Sequence, residues 1–148
     1  MFTKIISSFL LSFLLVTANA QFRDIPSEVT DSFDEKFPKA SHVSWKDKIT
    51  VFQADFEQKN QKVKATFNSK GEWQKTERQL LVSKLPGAVN DGFKKSKYAA
   101  YTVRQAIEID DHVKGLLYKV VVKRGDVTKR NLYFTAQGQL IKDDVNFK

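Results

Sequence analysis

Val29, Phe33 and Phe37 recur every four residues, which lines three apolar side chains along one stripe of a helix. Pro26 suits the first turn of that helix, where its missing N–H costs nothing. Phe37-Pro38 ends it, because a residue before proline avoids the helical region. Val89 and Phe93 repeat the spacing after Pro86, with Tyr98 completing the stripe. Gly92 weakens this second helix by about 1 kcal/mol relative to alanine. After each helix the period falls to two, the signature of strands. Phe52, Ala54 and Phe56 alternate with Val51, Gln53, Asp55 and Glu57, and Val63, Ala65 and Phe67 with Lys62, Lys64 and Thr66. Later, Tyr118, Val120 and Val122 alternate with Leu117, Lys119, Val121 and Lys123, and Leu132 and Phe134 with Asn131 and Tyr133. Strands are also expected near residues 42–46, 72–78, 101–109 and 139–145. One apolar face and one mixed face per strand indicates an antiparallel sheet with helices on one side.

The chain repeats itself. At an offset of 60, Pro26, Val29, Asp31, Phe33, Ala40 and Val43 match Pro86, Val89, Asp91, Phe93, Ala100 and Val103. Further on the offset becomes 67, and Phe67-Asn68-Ser69-Lys70-Gly71 matches Phe134-Thr135-Ala136-Gln137-Gly138. The seven extra residues of the second copy fall around 109–115 and read as a polar loop. Turns fit this register: Gln58 to Gln61 and Arg124-Gly125-Asp126 join adjacent strands, and Gly71 and Gly138 each supply the positive φ of a hairpin. The expected fold is α+β. Two tandem repeats, residues 21–80 and 81–148, each carry a helix and a four-stranded antiparallel sheet. The helices lie on one face of a curved sheet, and the repeats together form one domain.

Residues 1–20 read as a cleavable secretory signal peptide. Lys4 precedes a mostly apolar run from Ile5 to Val16, and Ala18-Asn19-Ala20 has the small-x-small pattern of a cleavage site. The run is shorter than the roughly 20 residues that span a bilayer. Cleavage near Ala20-Gln21 places the mature chain in the periplasm or outside the cell. The chain has no cysteine, so disulfides, thiol catalysis and cysteine metal sites are excluded, and the core must hold the fold alone. Outside residues 1–20, nine of the twelve phenylalanines remain with all four tyrosines and both tryptophans, which suits that demand. The net charge of +8 favours anionic partners. Export argues against nucleic acid and for envelope surfaces or acidic proteins.

Catalytic chemistry is hard to place. No Gly-x-Ser-x-Gly and no glycine-rich phosphate loop occurs, and His42 and His112 are the two histidines. Asp110, Asp111 and His112 are successive and do not readily converge on one ion, so no metal is expected. Asp55 and Glu57 share a strand face, as paired acid–base carboxylates would, but on an open sheet they stay solvated with unshifted acidity. Trp45 and Trp73 are expected in the core. What remains is a surface: Lys62, Lys64, Thr66, Lys119, Val121, Lys123 and Tyr133 share the face away from the helices, a basic strip with apolar members that suits a binding face.

Ile-Pro-x-x-Val-x-x-x-Phe-x-x-x-Phe-Pro over residues 25–38 resembles the opening of the beta-lactamase-inhibitor-like, PepSY-like domains. So does Ala40-Ser41-His42-Val43-Ser44-Trp45, and so does the Phe-x-x-x-Gly-x-Trp hairpin of Phe67 to Trp73. These are exported bacterial proteins, many from the Bacteroidetes. The resemblance implies a helix-plus-four-strand unit, used twice, with a concave sheet, and little about activity; no cofactor is expected. The inhibitor behind the family's name grips an enzyme with a concave sheet and inserts an acidic hairpin residue. Gln58-Lys59-Asn60-Gln61, the matching hairpin, carries no acid. With a two-sided sheet and no catalytic constellation, the expected function is a non-enzymatic, exported binding, inhibitory or regulatory module acting on a protein partner in the cell envelope. The alternative is an electrostatic binder of anionic envelope polymers or lipid headgroups.

Overall fold

A computed structural model describes residues 24–125 and 128–145. The leader read at residues 1–20 and Asp126 of the third turn lie outside them. The first helix, α1 (Ser27–Lys36), starts one residue later than the proline rule suggests. Pro26 is its N-cap, and its carbonyl accepts the amides of Val29 and Thr30 at 3.0 and 3.2 Å. Phe37 closes the helix, donating its N–H to the Phe33 carbonyl at 2.8 Å. The chain then forms β1 (Ser41–Asp47), β2 (Val51–Gln58), β3 (Gln61–Asn68) and β4 (Trp73–Leu80). A short 3-10 turn (Val82–Lys84) leads to α2 (Gly87–Lys95), and β5 (Thr102–Asp111), β6 (Gly115–Arg124), β7 (Thr128–Thr135) and β8 (Leu140–Val145) follow.

The helical stripe packs as its spacing dictates. Val29, Phe33 and Phe37 are buried against Phe52, Ala54, Phe56, Val63, Ala65 and Phe67. The Phe33 ring lies 5.0 Å from Phe56, 5.2 Å from Trp45 and 6.3 Å from Phe67, all near edge-to-face, the favoured aromatic geometry. A second cluster gathers Val89 and Tyr98 over Ala106, Val120, Val122, Leu132 and Phe134. Trp45 and Trp73 pack partly buried on the first cluster, and the Trp73 indole donates to Thr76 Oγ1 at 2.9 Å. Val43, two residues before Trp45 in β1, is nonetheless 40% exposed. The positive φ of His42 (54°) and the break in register between Ser41 and Ser44 account for this, since His42 and Val43 lie within the bulge, outside the regular ladder.

Two tandem four-stranded sheets do not form. All eight strands make one antiparallel sheet in the order β1-β2-β3-β4-β5-β6-β7-β8. Six consecutive pairs, from Lys75 opposite Asp111 to Leu80 opposite Ala106, join β4 to β5 and make one sheet of the two expected. An unpaired edge exposes a row of backbone donors and acceptors, and pairing satisfies them. The polar loop expected at 109–115 supplies half of this seam. Ile109 is buried within β5, Asp110 and Asp111 pair with Thr76 and Lys75, and only three residues separate β5 from β6. The extra residues thus lengthen β5 and β6 to ten residues each, so that β5 reaches along β4. The result is a continuous sheet with two helix-covered cores on one face.

Candidate functional site

Directly paired residues point to the same side of a sheet, so register identifies the face opposite the helices. One row across it runs Asp55, Lys64, Glu77, Ile109, Leu117 and Thr135. A neighbouring row runs Gln79, Ile107, Lys119, Tyr133 and Lys142. All seven residues of the expected strip lie on this face, and they differ in surroundings. Lys62 and Lys64 line a cleft of about 430 Å3 with His42, Asp55, Glu57, Glu77 and Ile107. Thr66 and Val121 are buried between their strand neighbours. Lys119 is largely covered, with its ammonium 3.9 Å from Glu77. Lys123 sits opposite Lys129 near the far end. Tyr133 borders a second notch of about 160 Å3 together with Ile109, Leu117 and Ile141.

Acidic residues interleave with these lysines, so the face is a charge mosaic and not a uniformly basic strip. Asp55 accepts hydrogen bonds from Lys46 and, at 2.8 Å, from Gln53. Glu77 holds Lys75 at 2.6 Å. Asp144 takes Asn131 at 2.9 Å and Lys142 at 3.0 Å. Partial burial pushes the Asp55 carboxyl upward, but the bonds from Lys46 and Gln53 and the charges of Lys46 and Lys64 bring it below the usual aspartate value. The unshifted acidity expected for this carboxylate is thereby corrected. Burial likewise raises Glu77, and the Lys75 hydrogen bond with the charges of Lys119, Lys75 and Lys64 more than reverses it. Lys119 moves down, because its burial outweighs the attraction of Glu77. The closer partner of Glu77 is therefore Lys75. Burial raises the Tyr133 phenol, and Asp144 adds to that.

Asp55 and Glu77 are thus held as anions at neutral pH and have no proton to donate, which disfavours a general-acid role for either. Asp110, Asp111 and His112 diverge. The Asp111 carboxylate accepts the amides of Val113 and Lys114, both at 2.9 Å, while the His112 ring packs 6.2 Å from Trp73. Among the described residues no group of three or more His, Asp or Glu could hold a metal ion.

Sequence reasoning missed Lys75, Glu77, Gln79, Ile107 and Ile109 in the middle of this face, and Lys142 on its edge strand β8. Lys75, Glu77 and Gln79 do alternate along β4, which was the available signal. Their place beside Ile107 and Ile109 became readable only with the β4–β5 register.

Comparison with known proteins places this architecture. The chain superimposes on a BLIP-like protein from Bacteroides fragilis with a TM-score of 0.76 and 23% identity, covering 84% of this chain and 89% of that one. A DUF2874 family protein from Bacteroides ovatus gives a TM-score of 0.77 at 25% identity, over 84% of this chain and 89% of the other. A protein from Bacteroides eggerthii described as "putative periplasmic" gives 0.76 at 18% identity, over 83% and 90%. No curated protein matches. Among the described residues no helix is long and apolar enough to cross a membrane. The family profile named "Putative beta-lactamase-inhibitor-like, PepSY-like" matches residues 50–142, which is more than half of the chain. The chain belongs to this beta-lactamase-inhibitor-like, PepSY-like family.

Proposed function

We propose that this chain is a non-enzymatic protein-binding module of the cell envelope, and that it binds its partner through the sheet face opposite the helices. The single observation that carries this reading is the composition of that face. Ile107 lines the cleft beside Lys62 and Lys64, Ile141 is 47% exposed beside Tyr133 in the second notch, and paired charges surround both. Accessible apolar side chains within a polar, charged surround are the anatomy of a protein interface. Family membership and the likeness to a BLIP-like protein support a binding role. Export to the envelope rests on the leader pattern and on the description of the Bacteroides eggerthii relative.

The test is site-specific photocrosslinking in envelope preparations. A crosslinker at Lys64 or Ile107 should yield a discrete adduct, and one at Asp31 on the exposed side of α1 should not. Equal labelling from both sides, or none from Lys64 and Ile107, refutes the open face as the docking surface.

A further inference from the structure

A different constellation lies on the helix side, where the chain leaves α2. Tyr98 and Tyr101 meet edge to face, with centroids 5.4 Å apart. Three cations gather over their rings. Lys97 Nζ and Arg130 Cζ stand 5.1 and 5.5 Å from the Tyr98 centroid, and Arg124 Cζ stands 5.8 Å from that of Tyr101. Lys94 and Lys95 close the last turn of α2 just before them. Among the described residues one carboxylate takes part in these contacts. Asp143 accepts the Tyr98 hydroxyl at 2.5 Å and Arg130 at 3.2 Å, and lies 3.4 Å from Lys97. A helix C-terminus attracts cations to its last turn, which accounts for Lys94 and Lys95. It does not account for Arg124 and Arg130, which arrive from β6 and β7.

A guanidinium above a tyrosine ring keeps its N–H donors directed outward along its own plane. That planar fork matches the oxygens of a phosphate two at a time. Among the described residues these three cations, from the exit of α2 and from β6 and β7, have one carboxylate partner, Asp143, which Lys97 and Arg130 already share, and the positive charge left over suits a guest with more than one negative charge. We propose that this end of the sheet binds phosphate groups, with Arg124 and Lys97 as the exposed contacts and Arg130 held in place by Asp143. The site is separate from the open face and stands whether or not that face binds protein.

The purified chain is titrated with inorganic pyrophosphate and, separately, with phosphatidylcholine vesicles containing phosphatidylglycerol, at low and high salt. Binding that weakens steeply with salt is expected. A response to pyrophosphate assigns a soluble anion, and a response to the vesicles alone assigns a lipid headgroup. Lys97→Gln combined with Arg124→Gln should weaken binding about thirtyfold. Lys62→Gln combined with Lys64→Gln on the open face should leave it unchanged. Should the first double variant melt early, Arg124→Lys decides. It keeps the charge and removes the fork, so weaker binding is expected and unchanged binding overturns the proposal. So does silence in both titrations at low salt, equal loss in the open-face variant, or displacement by poly-glutamate as effective as by pyrophosphate.

Discussion

Gly92 lies in the interior of α2, where helix propensity favours alanine by about 1 kcal/mol. The packing reverses that sign. A Cβ at Gly92 would stand 1.9 Å from the backbone oxygen of Gly138. Two backbones meet there, so no side chain can swing aside to make room. Gly92→Ala is expected to destabilise by about 2 kcal/mol, whereas Gly87→Ala in the first turn, with nothing within 4 Å of the added atom, should gain about 0.5 kcal/mol. Urea denaturation of the two variants checks both signs. Glu77 carries a pH signature at the same scale. Its native pKa is depressed below the ordinary 4.5. The unfolded chain therefore takes up the proton first as pH falls. The stabilisation from Glu77 is complete above the unfolded value and is lost as pH drops through the native one. Denaturation midpoints measured from neutral to acid pH should fall less steeply in Glu77→Gln than in the parent. Parallel curves would show that the Lys75–Glu77–Lys119 group contributes nothing.

Among the elements, the hairpin turns were legible because so few residues tolerate positive φ. Gly71 and Gly138 adopt φ of 79° and 82°, as a hairpin requires of them. The β2–β3 turn works with poorer chemistry. Lys59 and Asn60 hold φ of 52° and 59°, the pattern of a type I′ turn, for which Asn-Gly is the favoured pair. Lys59→Asn combined with Asn60→Gly is expected to raise stability by about 1 kcal/mol, read as a higher melting temperature. A lower one would mean that the lysine makes a contact worth more than the turn strain. The β5–β6 hairpin shows the opposite limit of legibility. Asp110, Asp111 and His112 have the polarity of a loop, and only the demand of the β4 edge for partners draws the two aspartates into a strand.

At the scale of the whole molecule, two aromatic-rich cores share one sheet, each under its own helix. The β4–β5 pairing couples them through backbone hydrogen bonds. The two halves are expected to unfold together as one domain. Phe33→Ala in the first core and Leu132→Ala in the second should each cost about 3 kcal/mol or more, and each should shift a single calorimetric transition. Two separate transitions, each moved by only one of the variants, would show that the halves are independent and that the seam transmits little.

The amino-acid sequence by itself determined what is local: the period-four stripe of α1, the period-two strands, the turn glycines, and which side chains share a strand face. Each of these depends on residues a few positions apart, so the covalent spacing suffices. The tertiary structure alone decided what depends on encounters between distant segments. It merged two expected sheets by pairing β4 with β5, and it placed Glu77, Ile107 and Ile109 at the centre of the open face. It also set Arg124 and Arg130 beside the tyrosines that follow α2. Such contacts arise when the chain folds back to satisfy its exposed backbone edges and apolar faces, and no spacing along the chain encodes them.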